Sequence, residues 1–483
     1  MSNNPLRYGE NRWRILCDRW DDRRRFALEE LYGALQACVP YTPVCLPGYE
    51  NYDEPVSSII VGTADFAPLA RLAGAGFYTP QTALQGYSIR VAAHPSRDGH
   101  MLAVIQGADD AGVQNGVADF LNLYVYGEAR YTGYIYNGRK KLFLEEMPAF
   151  EKKSAPLIQN RGLWTWGHVI GDYRGYIDNM ARWKMNTLII WNDHAPLNAA
   201  DVVRYAHERG VRIVWGYSWC WGEKVDPTSR EDLAYWKKRV VEVYEREYAP
   251  LGGDGVYFQT FTETSEQDMG GRSIADMAVE WVNEMSGALL ERHPGLWLQF
   301  GLHASSIRDR AHVMANIDPR ITIVWEDAGE FPYSYEPALQ AGADQTRAYN
   351  QQLLALRGEE ERFGAVLKGF ALINWVTEFE HQQGPYMMGT WPKAKLDAWA
   401  QDKKYYFDYA RSYWFEHAEK LRDLVRDCAA ANIAECTLTA LVEDSAWEVC
   451  QWQAVCLFAE ILWNGDDTTE AIRRVVSQHP GVV

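Results

Sequence analysis

The chain has 483 residues, 47% hydrophobic and 23% charged; this globular mix excludes disordered, collagenous and low-complexity classes and allows about three domains, or one large barrel with attachments. Its 48 basic and 65 acidic side chains give a net charge of −17, a field that repels phosphate backbones, and no basic stripe stands against it, so nucleic acid is excluded as a partner. No apolar run approaches the ~20 residues that span a bilayer, and residues 1–30 are charged without an apolar core, so a soluble cytoplasmic protein with no membrane partner is expected.

In chain order, residues 1–150 read as a small α/β domain. The apolar spacing predicts a helix over 26–38, strands over 58–61, 87–92 and 102–106, and a helix over 109–121 with Ala111, Val113, Val117 and Phe120 on one side. The charged stretch 140–153, with Pro148, marks a boundary. From Asn160 short apolar strands alternate with amphipathic helices, at 161–166, 187–191, 212–217, 255–261, 297–301, 321–325 and 368–373, with an eighth expected near 386–390. That rhythm predicts a (β/α)8 TIM barrel over 155–392. Residues 393–483 read as a C-terminal helical region, with helices at 394–424, 433–444 and 447–463; the last is placed against the barrel or against another subunit of a homo-oligomer.

The cysteines at 17, 38, 45, 220, 428, 436, 450 and 456 have neither zinc nor redox spacing and read as buried thiols in a reducing compartment. With no HxH or HExxH motif and no Gly-rich phosphate loop after a strand, no metal or other cofactor is expected. The 20 Trp and 28 Tyr point elsewhere, since aromatic faces stack on the apolar C–H patches of sugar rings.

Barrel chemistry gathers at the carboxyl ends of strands. There the chain places Trp164, Trp166 and His168, then Trp191, Asp193 and His194, then Tyr217, Trp219 and Trp221. Glu263 follows the fourth strand and His303 the fifth; Trp325, Glu326 and Asp327 follow the sixth, and Trp375 and Glu378 the seventh. Carboxylates among indoles suit glycosidic bond cleavage, which needs an acid for the leaving oxygen and a second group for the oxocarbenium-like centre. Glu263 is the expected acid, its pKa raised under aromatic cover. Asp327 and Glu378 are chosen as second carboxylates because each sits just past a strand, although spacing does not decide among them and Glu326, Glu330 and Glu380. His168, His194, His303 and His381 are expected to orient hydroxyls.

Residues 160–192, NRGLWTWGHVIGDYRGYIDNMARWKMNTLIIWN, resemble the first strand, helix and second strand of family 20 glycoside hydrolases, the β-N-acetylhexosaminidases, through the Arg161-Gly162 pair, the MARWKMN ending at 180–186 and the Asn192-Asp193 turn. Residues 202–216 resemble the helix and third strand that follow, and residues 89–124 are similar to the domain that precedes the barrel in that family and in family 67 α-glucuronidases. The resemblance implies that Arg161 binds sugar hydroxyls, that Asp193 edges the site and that Glu263 is the general acid. It departs at Thr262-Glu263, where family 20 has Asp-Glu; threonine has no charge to orient an acetamido nucleophile. An α-glucuronidase-like inverting hydrolase and a catalytically silent carbohydrate-binding barrel are therefore the alternatives to an exo-acting hydrolase.

Overall fold

The computed structural model describes residues 13–39, 43–126, 148–165, 170–191, 195–303, 306–326, 343–371, 392–442, 452–465 and 467–478. The first six strands, β1 (Trp13–Cys17), β2 (Val44–Pro47), β3 (Ser57–Thr63), β4 (Tyr87–Ala93), β5 (Met101–Gly107) and β6 (Phe150–Ser154), make one sheet in the order β2-β1-β3-β5-β4-β6. It is parallel except where β4 runs against both β5 and β6. Helices Asp22–Cys38 and Asp110–Asp119 cover one face, setting Leu28, Leu31, Val113 and Val117 against Ile15, Ile59, Ile89 and Ile105. The second of these helices starts where Asp109 accepts the Gly112 N–H, a side-chain cap for an otherwise orphaned donor. Helix Ala67–Gly74 seals the other face with Leu69 and Leu72.

The barrel follows. Its strands are β7 (Asn160–Thr165), β8 (Thr187–Trp191), β9 (Arg212–Gly216) and β10 (Gly255–Gln259); then, past the hairpin β11 (Asp268–Met269)–β12 (Arg272–Ser273), β13 (Trp297–Leu302), β14 (Thr322–Trp325), β15 (Arg362–Ala371) and β16 (Glu435–Val442). The eight close in the order β10-β13-β14-β15-β16-β7-β8-β9, all parallel. Alternation along each strand sorts the side chains. Leu163, Ile190, Ile213, Phe258, Phe300 and Ile323 face the helices, whereas Trp164, Ile189, Trp191, Val214, Tyr257, Val324, Val366 and Leu441 fill the lumen. The Arg161-Gly162 motif has a steric reason at its glycine, because a Cβ on Gly162 would overlap the Thr187 carbonyl of β8.

Two expectations need correction. The closing strand is Glu435–Val442, within the segment read as a helix over 433–444, and the barrel spans Asn160 to Val442 rather than ending at 392. Helices Lys393–Glu416 and Ala418–Ala430 belong to the crossover from β15 to β16 instead of a separate C-terminal region. The expected strand at 386–390 lies outside the described residues. Helix Trp452–Trp463 is buried at every residue but Gln453, with Phe458 edge-on to Phe370 and Trp463 stacked 5.9 Å from Tyr87 of the N-terminal sheet, so it packs within its own chain. Among the described residues no helix is long and apolar enough to cross a membrane.

Candidate active site at the barrel mouth

The amino end of the lumen is plugged. The Arg212 guanidinium lies 4.2 Å over the Trp297 ring, Trp297 donates to Glu435 at 2.9 Å, and Arg362 pairs with the same carboxylate at 2.7 Å. The carboxyl end is where side chains converge. Glu326, one residue past β14, is 4% exposed and receives the Tyr257 hydroxyl, the Gln259 amide and His303 Nε2, the last at 3.2 Å. Burial alone would push its pKa up, but the His303 and Lys368 charges and the hydrogen bonds outweigh that and hold it at about 2, against an ordinary 4.5. It is therefore an anion sunk into the floor of the mouth. Tyr257 responds oppositely: burial and Glu326 push its hydroxyl well above the usual range, with a smaller push from Glu263.

The depressed Glu326 pKa has a consequence for acid stability. A carboxylate held below its unfolded value stabilises the fold fully above that value, and the stabilisation is lost as pH falls through the folded value. Here the window runs from 4.5 down to about 2. Glu326→Gln is expected to remove about 3 kcal/mol of that acid-dependent stability. Urea midpoints of the two proteins measured between these pH values check it; parallel curves would refute it.

Gly301 holds this cluster together by what it lacks. A Cβ there would overlap the Tyr257 hydroxyl and press on Glu326 Oε1. Gly301→Ala is expected to break the Tyr257–Glu326 hydrogen bond and cost about 1–3 kcal/mol, read as a lowered urea midpoint; an unchanged midpoint would count against the packing described.

Above the floor stands Glu263, past β10 and exposed. Its Oε2 accepts the Trp221 indole N–H at 2.5 Å, and Trp221 meets Trp191 edge to face at 5.8 Å. Trp191 in turn lies 6.1 Å from the Tyr257 ring, and Trp164 lies 4.8 Å from that ring. Glu263, Trp221, Trp191, Tyr257 and Glu326 thus form one contiguous wall. The desolvating cover expected for Glu263 is confined to the Trp221 edge among the described residues.

Of the residues singled out in the sequence, Trp164, Trp191, Trp221, Glu263, His303 and Glu326 come together at this mouth. Four do not. Arg161 faces outward at the amino end of β7, 1% exposed, donating to the carbonyls of Ile158, Gln159 and Lys184 and to Gln85 Oε1. Burial there draws its pKa down to about 9, and its work is to join the domains rather than to bind sugar. Tyr217 stacks on Tyr248 and donates to the Val240 carbonyl, Trp219 lies 3.7 Å from Phe258, and Trp325 is buried under the surrounding helices; all three are core residues. Trp166, His168, Asp193, His194, Asp327, Trp375 and Glu378 lie outside the described residues, as do Glu330, Glu380 and His381.

Tyr257, Gln259 and Lys368 were missing from the sequence-derived site. Alternation within Gly255–Gln259 puts Tyr257 and Gln259 on one face, which would have found the first two. Trp221 is turned toward the mouth by Cys220, whose φ of 66° is a left-handed conformation no spacing rule reveals. Among the described residues no group of three His, Cys, Asp or Glu is placed to hold a metal.

Fold and mouth together define a two-domain barrel protein in which an exposed glutamate and a buried one share an indole-lined opening. No known family model matches this chain, and no curated protein does. Solved structures are similar in fold. A mutant Streptomyces plicatus β-hexosaminidase in complex with product GlcNAc is 11% identical, with a TM-score of 0.52 over 97% of this chain and 93% of that one. The family 20 β-N-acetylhexosaminidase of Streptomyces coelicolor is 11% identical, with a TM-score of 0.51 over 98% of this chain and 94% of that one. Both likenesses take in the α/β domain and the barrel.

Proposed function

We propose that this chain is an exo-acting glycoside hydrolase that removes a terminal sugar from an oligosaccharide by carboxylate acid/base catalysis. The observation that carries the reading is Glu263: an exposed carboxylate at the carboxyl end of β10, oriented by the Trp221 N–H beside Trp191. A positioned carboxylic acid protonates the leaving oxygen, and the indole faces bind the sugar ring. Glu326 is the fixed negative charge of the floor; enclosed by three donors, it supports the site rather than attacking the sugar. Asp327 and Glu378 are our proposed second carboxylates, and Trp166, His168, Asp193, His194 and Trp375 our proposed sugar contacts. The seven described cysteines are all free thiols, which suits a reducing, cytoplasmic setting.

The similar hexosaminidase was solved with GlcNAc, so β-N-acetylhexosaminides come first on a substrate panel, with plain hexosides and uronides beside them. Turnover of one glycoside that disappears in Glu263→Gln is the expected result. A second reading, a sugar-binding protein without turnover, is favoured by one observation: Thr262, in the place where family 20 carries an aspartate, is 1% exposed and uncharged. Calorimetric sugar binding with no hydrolysis across the panel would establish that reading instead.

A further inference from the structure

The carboxyl end of β1 and the edge strand β2 bring two thiols together. Cys17 Sγ and Cys45 Sγ are 3.9 Å apart and face the core under helix Asp22–Cys38. Cys17 is fully buried, whereas Cys45 is half-buried and is the one described cysteine not shut away from solvent. β2 has four residues, is paired on one side only, and ends beside Gly48, whose φ of 71° is a left-handed turn. A disulfide needs about 2.05 Å between sulfurs, so roughly 2 Å of closure is required; Cys45 stands opposite Ile15 and Cys17 opposite Pro47, so closure draws edge strand β2, held on one side only, along β1. The 17–45 segment carries helix Asp22–Cys38, whose Glu30 grips Arg182 of the barrel at 2.7 and 2.9 Å.

We propose that Cys17 and Cys45 form a reversible, peroxide-driven disulfide that fastens edge strand β2 and closes the chain segment carrying the barrel-docking helix. The unequal exposure of the pair sets the order of events: Cys45, half-buried, is the thiol that peroxide reaches first, and Cys17, fully buried beside it, is the one that resolves. The Cys45 thiol gives up its proton and its sulfur attacks one oxygen of hydrogen peroxide; the O–O bond breaks, sulfenic acid forms, and the departing hydroxide takes up that proton and leaves as water. Cys17 sulfur then attacks the Cys45 sulfur, the S–O bond breaks, and a second water leaves with the Cys17 proton. Two thiols are oxidised and one peroxide is reduced to two waters; a dithiol reductant reverses the change.

The test is peptide mapping of the whole protein, unreduced, after stoichiometric hydrogen peroxide. The expected result is loss of two titratable thiols, a mass decrease of about 2 Da, and a Cys17–Cys45 linked peptide that disappears on reduction. Cys45→Ser, a substitution at a half-exposed edge position, should abolish the linkage and keep the circular dichroism spectrum. Cys17→Ser should instead leave Cys45 as a sulfenic acid captured by dimedone. Unchanged thiols after peroxide, or the same two-thiol loss in Cys45→Ser, would overturn the proposal.

Discussion

Lys184→Met is expected to destabilise the protein by about 3–5 kcal/mol, because it strands two buried carboxylates. Lys184 Nζ donates to Asp119 and, at 2.6 Å, to Glu460; all three side chains are at most 3% exposed. Tyr87 donates to the second oxygen of Asp119, and the Trp463 ring lies 5.2 Å from Nζ. One cation thus ties the N-terminal domain, the barrel and the last helices at a single point. Burial would push Asp119 up, but the Lys184 charge holds it below the usual range; burial dominates at Glu460 and raises it. Lys184, opposed by burial, is nonetheless raised by its two partners.

The pH signs follow from these directions. Asp119 stabilises above its ordinary range and loses that contribution as pH falls. Lys184 stabilises below its ordinary range and loses that contribution as pH rises through its folded value. Glu460, being raised, favours the fold at low pH and loses that contribution as pH rises through its folded value. Without the ammonium Asp119 loses what holds it down and Glu460 rises further, so the deficit of Lys184→Met should narrow as pH falls from about 7 to about 5 while they take up protons. Urea denaturation at both pH values measures this; a constant deficit would mean that packing, not charge, is what the substitution removes. The triple change Asp119→Asn, Lys184→Met, Glu460→Gln should recover much of the loss, since replacing a whole buried ionic cluster by neutral side chains is far less costly than breaking it.

The βα alternation made the barrel legible, because β8, β9, β10, β13 and β14 are short, largely apolar runs separated by helical or 3₁₀ crossovers. The closing strand escaped because two long helices, Lys393–Glu416 and Ala418–Ala430, intervene between β15 and β16 and set a helical context around it. Its own pattern was nevertheless a strand pattern: Cys436, Leu438, Ala440 and Val442 alternate toward the helices, and Leu441 points into the lumen.

The site shows the same gain and loss. The strand-end rule found Trp191, Glu263, His303 and Glu326, but it treats adjacent residues alike. A period of two does not. Val324 lies in the lumen, Glu326 shares its side, and Trp325 between them is turned to the helices. Arg161, two residues before outward-facing Leu163, is turned the same way into the domain joint. Parity would have separated lumen from core at both places. The Lys368 charge on Glu326 lay beyond it, since the register between β15 and β16 shifts between Leu367 and Ala371.

Glu263→Gln should lower kcat/KM by about 10²–10⁴ on oligosaccharides and by far less on glycosides of dinitrophenol. The amide keeps the size and the Trp221 hydrogen bond but has no proton to give, and a good leaving group departs without one. A loss of that size is about 3–5 kcal/mol of transition-state stabilisation, more than one exposed hydrogen bond contributes, so simple loss of substrate contact would not mimic it. Trp221→Phe retains the acid but frees its orientation, and should fall between the wild type and Glu263→Gln on oligosaccharides while leaving the dinitrophenyl rate almost unchanged. Equal losses on both leaving groups would instead make Glu263 the group that attacks or stabilises the sugar centre, and would pass the acid role to another carboxylate at the mouth.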